Sequence, residues 1–372
     1  MKKQLRETIY YATQIREDIR TKILSGVFQQ GEKLPPEEEI AESYGVSRMT
    51  ARQALVELVV EGLIHRIPGR GTFVSDNISF QGNKITGRNI VAIIVPNLRN
   101  SFYSQLVSSA QKMLKRFNVH MVLDCVEDDA MEEKKALEDL NKNPYTGLLL
   151  VAGYYSEENI LLVKEVSEKI PVVIMDVKLE GIKSDLVISD DKGGGFLATE
   201  HLIELGYKNI LHLAGPEGDS SADNRRKGYE EALRRYNIEH RNEYIRFTDW
   251  SMKEGYYQTK KFLMNNGETL TAIFACNDEV AIGAYNAVRE EGKNIPEDIA
   301  IMGYGNSDIG GLLEVPLSTV DQAVDEMGEI GAKLLVEKIT GKRKREDKRE
   351  IVIPTKLIVR ESCGIVKRKV GI

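Results

Sequence analysis

The chain has 372 residues, 42% of them apolar and 29% charged, with a net charge of −6 at neutral pH. At ~100–200 residues per domain it is too long for one ordinary core, and its composition excludes a disordered chain. No apolar run approaches the ~18–20 residues that span a bilayer, and the amino terminus shows no signal-peptide core, so no membrane partner is expected and the expected location is cytoplasmic.

The three cysteines, Cys125, Cys276 and Cys363, are far apart and read as reduced, buried thiols rather than as a disulfide frame or metal site. Residues 1–75 carry 11 Lys/Arg against 10 Asp/Glu, and the remainder 40 against 47. This mild asymmetry permits a DNA-binding head on an acidic body without demonstrating one.

In chain order, Ile15, Ile19 and Ile23 recur at helical spacing, predicting a helix from about Tyr10 to Ser25 that Gly26 stops. After the turn-rich Gly31–Pro36, a short helix is expected from Glu37 to Ser43. Gly45-Val46 forms a tight turn, and Ser47 caps a second helix that carries Arg48, Thr50 and Arg52 in its first two turns and that Gly62 ends. Leu63–Ile67 and Thr72–Val74 read as two short strands around a Pro68-Gly69-Arg70-Gly71 tip. This order is a helix-turn-helix with a wing. Arg48 and Arg52 lie one turn apart, so both can reach one stretch of major groove, where a guanidinium fork fits guanine; Thr50 can bond a base or phosphate. Gly69 and Gly71 let the wing backbone approach the sugar-phosphate chain while Arg70 supplies charge.

These residues, with Gly31-Glu32-Lys33-Leu34-Pro35 and Thr50-Ala51-Arg52-Gln53-Ala54-Leu55, closely resemble the GntR-type winged-helix domain over about 65 positions. The resemblance implies DNA contacts from Ser47, Arg48, Thr50, Arg52, Gly69, Arg70 and Gly71. The chain departs from some family members at Glu38, an acid where they place a basic residue.

Residues 76–88 are polar and weakly periodic, as expected of a linker. Beyond them, apolar runs beginning near Ile90, Val119, Gly147, Val172, Leu186, Ile210, Tyr244, Ala272 and Ile299 alternate with amphipathic stretches. Such alternation predicts an α/β architecture of two doubly wound parallel sheets in two lobes. Ligands of such sheets bind beyond the carboxyl ends of the strands. There the sequence places Asn97, Asn100, Phe102, Tyr103, Asp176, Ser221, Arg225, Asp249, Trp250, Asn277, Asp278, Tyr304 and Asn306, a set of amide, carboxylate, guanidinium and aromatic groups suited to a polyhydroxylated ligand.

The stretches Asp190 to Gly215, Arg225 to Tyr229, Ala275 to Gly283 and Pro316 to Gln322 resemble the LacI/GalR effector domain, which has the type I periplasmic sugar-binding fold. By position, the resemblance implies sugar contacts from Phe102, Tyr103, Asp176, Ser221, Arg225, Trp250 and Asn277, with Gln322 nearby. At Gly305 the family commonly has Asp; the expectation is that Asn306 or Asp308 substitutes, or that the ligand lacks the hydroxyl which that carboxylate would hold. The implied organisation is a head at 1–75, a linker at 76–88, an N-terminal lobe of 89–189 plus 322–352, and a C-terminal lobe of 190–321 plus 353–372.

A GntR-type head on a LacI-type body resembles the arabinose-repressor subfamily. This implies a homodimeric repressor on pseudo-palindromic double-stranded operator DNA, released by a small sugar, with L-arabinose the leading guess. No G-x-G-x-x-G after a strand, GxSxG or HExxH is present, so no enzyme, cofactor or metal is expected. The rivals are a pyridoxal-phosphate enzyme fused to such a head and a solute-binding receptor. Lys342-Arg343-Lys344-Arg345, followed by Glu346-Asp347, reads as a solvated turn before a strand at Ile351.

Overall fold

The computed structural model describes residues 11–16, 18–20, 22–23, 27–29, 31–60, 63–67, 70–75, 89–140, 142–151, 153, 156–179, 181–266 and 269–364. The chain divides into two units, residues 1–87 and 88–372. The expected linker, 76–88, lies outside the described residues, as do Gly26, Gly62, Pro68 and Gly69.

In the first unit, helical backbone at 11–16, 18–20 and 22–23 buries Ala12, Ile15, Ile19 and Ile23. Helix α1 (Glu37–Ser43) follows Pro36, whose extended backbone suits the position before a helix. Three glutamates in its first turn complement the helix dipole. Gly45, at φ +64°, turns the chain into α2 (Arg48–Val60). Strands β1 (Ile64–Ile67) and β2 (Gly71–Val74) pair antiparallel, from Ile64 opposite Val74 to Ile67 opposite Gly71. The first strand thus starts one residue later, and the second one earlier, than the pattern predicts. Lys33 bridges to Phe73, and the Leu34 N–H donates to Thr72 O (2.9 Å), tying the loop before α1 to the wing. Ala51, Ala54, Leu55 and Leu58 complete one apolar core with Ile40, Leu63, Ile64 and Val74.

The second unit holds two parallel sheets. Six strands, in the order β13-β7-β6-β5-β3-β4, form one: β3 (Ile90–Val95), β4 (His120–Cys125), β5 (Gly147–Leu150), β6 (Val172–Met175), β7 (Asp185–Ser189) and β13 (Glu350–Ile353). Strand periodicity sends Val91, Ile93 and Val95 to one face and Ala92 and Ile94 to the other, and each set joins a separate core. Helices α3 (Ser101–Arg116), α4 (Ala130–Leu140) and α5 (Glu157–Lys169) connect the first four strands.

The other sheet has the order β11-β10-β8-β9, built from β8 (Ile210–Ala214), β9 (Ile245–Phe247), β10 (Ala272–Ala275) and β11 (Ala300–Met302). Helices α6 (Asp191–Glu204), α7 (Ser220–Arg235), α8 (Met252–Asn266) and α9 (Asp278–Glu290) cover it. A strand that the pattern did not predict, β12 (Thr319–Asp321), pairs antiparallel with β14 (Lys356–Ile358). Helix α10 (Val324–Ile339) then returns the chain to the six-stranded sheet, where Met327, Leu334 and Leu335 join its core. Ile353, expected in the C-terminal lobe, pairs with Ser189 in the six-stranded sheet. Cys276 and Cys363 are buried free thiols, whereas Cys125 is only half-buried because it ends an edge strand.

Candidate functional site

In the first unit, the Ser47 hydroxyl accepts from the Thr50 N–H (3.2 Å), capping α2 as the sequence predicts. Ser47, Arg48, Arg52, Arg70 and Gly71 are exposed. Arg48 is paired: its Nη1 donates to Glu38 Oε1 (2.8 Å) and its Nε lies 3.5 Å from Glu37 Oε2. Exposed pairs of this kind are worth only ~0–1 kcal/mol, so a phosphate or guanine can displace the carboxylates. Glu38, the family departure, therefore holds Arg48 in place of contacting a phosphate.

Thr50 corrects the sequence reading. It is 4% exposed, and its hydroxyl lies 2.9 Å from Ser47 Oγ, so it braces the start of the helix instead of facing outward. Two residues absent from the sequence reading lie exposed or beside the expected surface. Met49, 69% exposed, follows Arg48, and the Lys33 chain lies against Gly71 at the wing. The turn-like context of Lys33 hid its pairing with the wing.

In the second unit, the strand ends converge on Arg225. This residue of α7 is 4% exposed. Its Nε donates to Asp191 Oδ1 (2.8 Å), its Nη1 donates to Cys276 O (2.7 Å), and its guanidinium lies 4.0 Å from the Tyr304 ring centroid and 5.5 Å from that of Trp250. Burial works against the arginine's charge, but Asp191, Tyr304 and Asp176 outweigh it and hold it protonated. The close approach of α6 and α7 makes this possible. A side chain on Gly195 would meet the Arg225 backbone at 2.2 Å, and one on Gly194 the Tyr304 ring. The Gly193-Gly194-Gly195 run is thus a packing device that seats Asp191 beside Arg225.

Asp176 ends β6 at φ +70°, a backbone conformation that few non-glycine residues adopt and that clusters at functional positions. Its carbonyl accepts from Ser221 Oγ (3.4 Å), joining the six-stranded lobe to the other one. Surrounding protein, and secondarily the nearby Asp191, raise its carboxyl to about 7 against the pull of Arg225. Trp250 packs on the core of the C-terminal lobe, and its carbonyl accepts from Asn277 Nδ2 (3.0 Å). Asn277 caps α9 through Val280 N–H and is almost fully buried. Asp176, Ser221, Arg225, Trp250 and Asn277 therefore form one connected group.

Phe102 and Tyr103 pack edge to face, 5.3 Å apart, at the start of α3. Their neighbour Ser101 donates to Glu279 Oε1 (3.3 Å) in the first turn of α9, a second contact between the lobes. Gln322 is buried, and its Oε1 lacks a partner among the described residues. It borders Gly305, where a Cβ would lie 3.8 Å from Gln322 Nε2 and 3.9 Å from Asp278 Oδ2. At φ +125°, position 305 disfavours the Asp common in the family. Asn306 does not substitute: its Oδ1 accepts from Arg360 (2.8 Å). Asp308 is exposed. The carboxylate nearest that place is Asp278, which accepts from Thr319 Oγ1 (2.7 Å) and Ser307 N–H (2.6 Å).

Sequence reasoning placed Asp278 and Tyr304 at strand ends without assigning them a contact, and passed over Asp191. Asp191 follows the true cap, Asp190, whose side chain accepts from Gly193 N–H, so the pair looked like ordinary helix-start chemistry.

A winged helix-turn-helix joined to a two-lobed α/β body with buried polar groups between its lobes defines a ligand-responsive DNA-binding regulator. Residues 11–74 match the gntR family of bacterial regulatory proteins, and residues 199–363 match the periplasmic binding protein-like domain. The chain is 29% identical to the arabinose metabolism transcriptional repressor of Geobacillus stearothermophilus, over 94% of this chain and 96% of that protein. It is 31% identical to the HTH-type transcriptional regulator DegA of Bacillus subtilis, over 75% and 83%. A LacI family transcriptional regulator from Enterococcus faecium, solved with bound ribose, superposes with a TM-score of 0.65 at 30% identity, over 73% of this chain and 98% of that one. The chain belongs to the bacterial transcriptional regulators that join a gntR-type DNA-binding head to a periplasmic binding protein-like effector domain. Members of this family are regulators and not enzymes, which sets aside the pyridoxal-phosphate reading.

Proposed function

We propose that this repressor acts as a cytoplasmic homodimer on a pseudo-palindromic operator and is released by a small sugar, L-arabinose first among candidates, bound between the lobes of the body. Among the described residues no helix is long and apolar enough to cross a membrane. The head reads DNA through Arg48 and Arg52, with Arg70, Gly71 and the sequence-assigned Gly69 at the wing, and Ser47 at the helix start.

The observation that carries the effector assignment is the buried Arg225. It spends its Nε and Nη1 on Asp191 and Cys276, lies between two aromatic rings, and faces Asp176 of the other lobe. A fixed guanidinium, an adjustable carboxyl and the Trp250 ring match the hydroxyl groups and C–H face of a sugar. Ser221 and Asn277 supply further polar groups, Phe102 and Tyr103 close the N-terminal side, and Gln322 offers an unpaired amide oxygen.

A thermal-shift screen of pentoses, hexoses and sugar phosphates tests this. A ligand at ~100 times its Kd adds about 2.7 kcal/mol to the native state. L-Arabinose should raise the melting temperature of the wild-type chain and leave Trp250→Ala unmoved. An equal rise in both would remove Trp250 from the site, and a rise only with a hexose would replace arabinose.

A further inference from the structure

Cations gather at one end of the strands of the N-terminal lobe. All six strands of its sheet run parallel, so their amino ends, at Ile90, His120, Gly147, Val172, Asp185 and Glu350, share one end of the lobe. Every connection entering that end from within the lobe carries cations: Arg116 before β4, Lys142 before β5, Lys169 before β6, Lys183 before β7, and Lys342, Lys344, Arg345 and Lys348 before β13; acids accompany them at Asp139, which pairs with Lys142, and at Glu168, Glu346 and Asp347. The opposite end, where the strands finish, is rich in acids: Glu127, Asp128, Asp129, Asp176, Asp190 and Asp191. Helix dipoles account for Arg116 and Lys169, which sit in last turns. They do not account for Lys183, Lys342, Lys344 and Arg345, which lie outside the helices.

The loop before β13 is built rather than merely solvated. Arg343 turns inward, its Nη2 donating to both oxygens of the fully buried Asp185 (2.8 and 3.0 Å). Lys338 Nζ reaches the same carboxylate (3.2 Å), the Arg349 N–H donates to it (2.8 Å), and Lys348 Nζ donates to Ile182 O (3.0 Å). On this anchor Lys342, Lys344 and Arg345 stand exposed, without an ion-pair partner among the described residues. Glu346 and Asp347, which follow them in sequence, form no ion pair with them.

The chain arrives from the head at this same end, since Ile90 opens β3. Strand β13 lies four places from β3 in the sheet, about 19 Å at ~4.8 Å per strand. A segment of residues 76–88 reaches at most ~45 Å. We propose that this basic end of the effector lobe binds the phosphate backbone of the duplex that the head reads, with Lys342, Lys344 and Arg345 as its principal contacts. The inference rests on the reading of the head as the DNA-binding module. Phosphate contacts add affinity and salt dependence without adding sequence preference.

The test uses the full-length protein, a duplex selected in vitro by the wild type, and a scrambled duplex of equal length, each titrated over a range of salt. The triple variant Lys342→Ala/Lys344→Ala/Arg345→Ala should weaken binding to both duplexes by a similar factor, about tenfold or more at low salt, and lower the log–log salt slope by about 2–3 per bound protomer, about 5 for a dimer on its duplex. The charge-conserving variant Lys342→Arg/Lys344→Arg/Arg345→Lys should keep the wild-type slope, and all three proteins should melt alike. A triple variant with wild-type affinity and slope overturns the proposal and leaves the cluster to a protein partner. Loss confined to the selected duplex also overturns it, because the residues would then be reading sequence. If Arg52→Ala abolishes the preference for the selected duplex while the triple variant keeps it, the two surfaces are separate; a wild type that selects no duplex sinks the head assignment itself, and this proposal with it.

Discussion

In the proposed effector site, Arg225 and Asp176 would divide the work. Arg225 is locked by Asp191 and by the Cys276 carbonyl, and removing one partner of such a buried pair costs about 3–5 kcal/mol because the other charge is stranded. Asp176 is the adjustable group, with its carboxyl raised to about 7 by burial and by Asp191. A carboxyl with a raised pKa in the folded state holds its proton longer there than in the unfolded chain. The folded state therefore loses stability as pH climbs from about 4 to about 7, and the loss is complete above that window. Asp176→Asn removes this component. The melting temperature of the variant relative to the wild type should thus be higher at pH 8 than at pH 5, and a difference that does not change with pH would remove Asp176 as the titrating group.

At the scale of elements, α2 depends on its first turn. Ser47 caps it, and Thr50, buried beneath, shares its hydroxyl with Ser47, so the pair sets the angle at which Arg48 and Arg52 leave the helix. Ser47→Ala should cost about 1 kcal/mol, roughly fivefold in the local opening equilibrium, and Ser47→Thr much less. Hydrogen exchange of the α2 amides in the full-length protein reads this directly; unchanged exchange in the alanine variant would show that the cap is dispensable. Helices α6 and α7 make the matching point in the body. Glycines at 195 and 228 let them approach closely enough for Asp191 to meet Arg225, so a packing feature of two helices creates the charged pair of the proposed site.

At the scale of the molecule, two interlobe contacts bear on the proposed effector site: Ser221 to Asp176 joins two of its groups, and Ser101 to Glu279 joins residues adjacent in sequence to Phe102 and near Asn277. A ligand there changes the relative stability of lobe arrangements, which is what coupling to DNA requires. The coupling expected is ~1–3 kcal/mol, or ~5–150-fold. Linkage makes it reciprocal: operator DNA must weaken sugar binding by the factor by which sugar weakens operator binding. Titrating the sugar with and without saturating operator measures one side, and titrating DNA with and without sugar the other. Unequal factors would show that the two ligands do not act through one equilibrium.

Much of this protein was legible in the residues alone. Apolar runs of period two and helices of period 3.6 are local, so the strands at Ile90, Gly147, Val172, Ile210 and Ala272 start where the pattern predicts. Turn and cap chemistry is equally local, which is why Gly45 and Ser47 were readable. Thr50, by contrast, looked like a DNA contact because helical spacing alone does not reveal which side of a helix the core occupies. Asp191 drew no site assignment because its partner, Arg225, lies 34 residues away on another helix. The short strand at Thr319 was missed because three residues carry no periodicity and its partner, β14, comes 35 residues later. The basic run at 342–345 looked solvated because only the sheet brings Asp185 beneath Arg343 and leaves its neighbours facing water. Burial and charge pairing over long sequence separations are properties of the packed chain, and only the tertiary structure decided them.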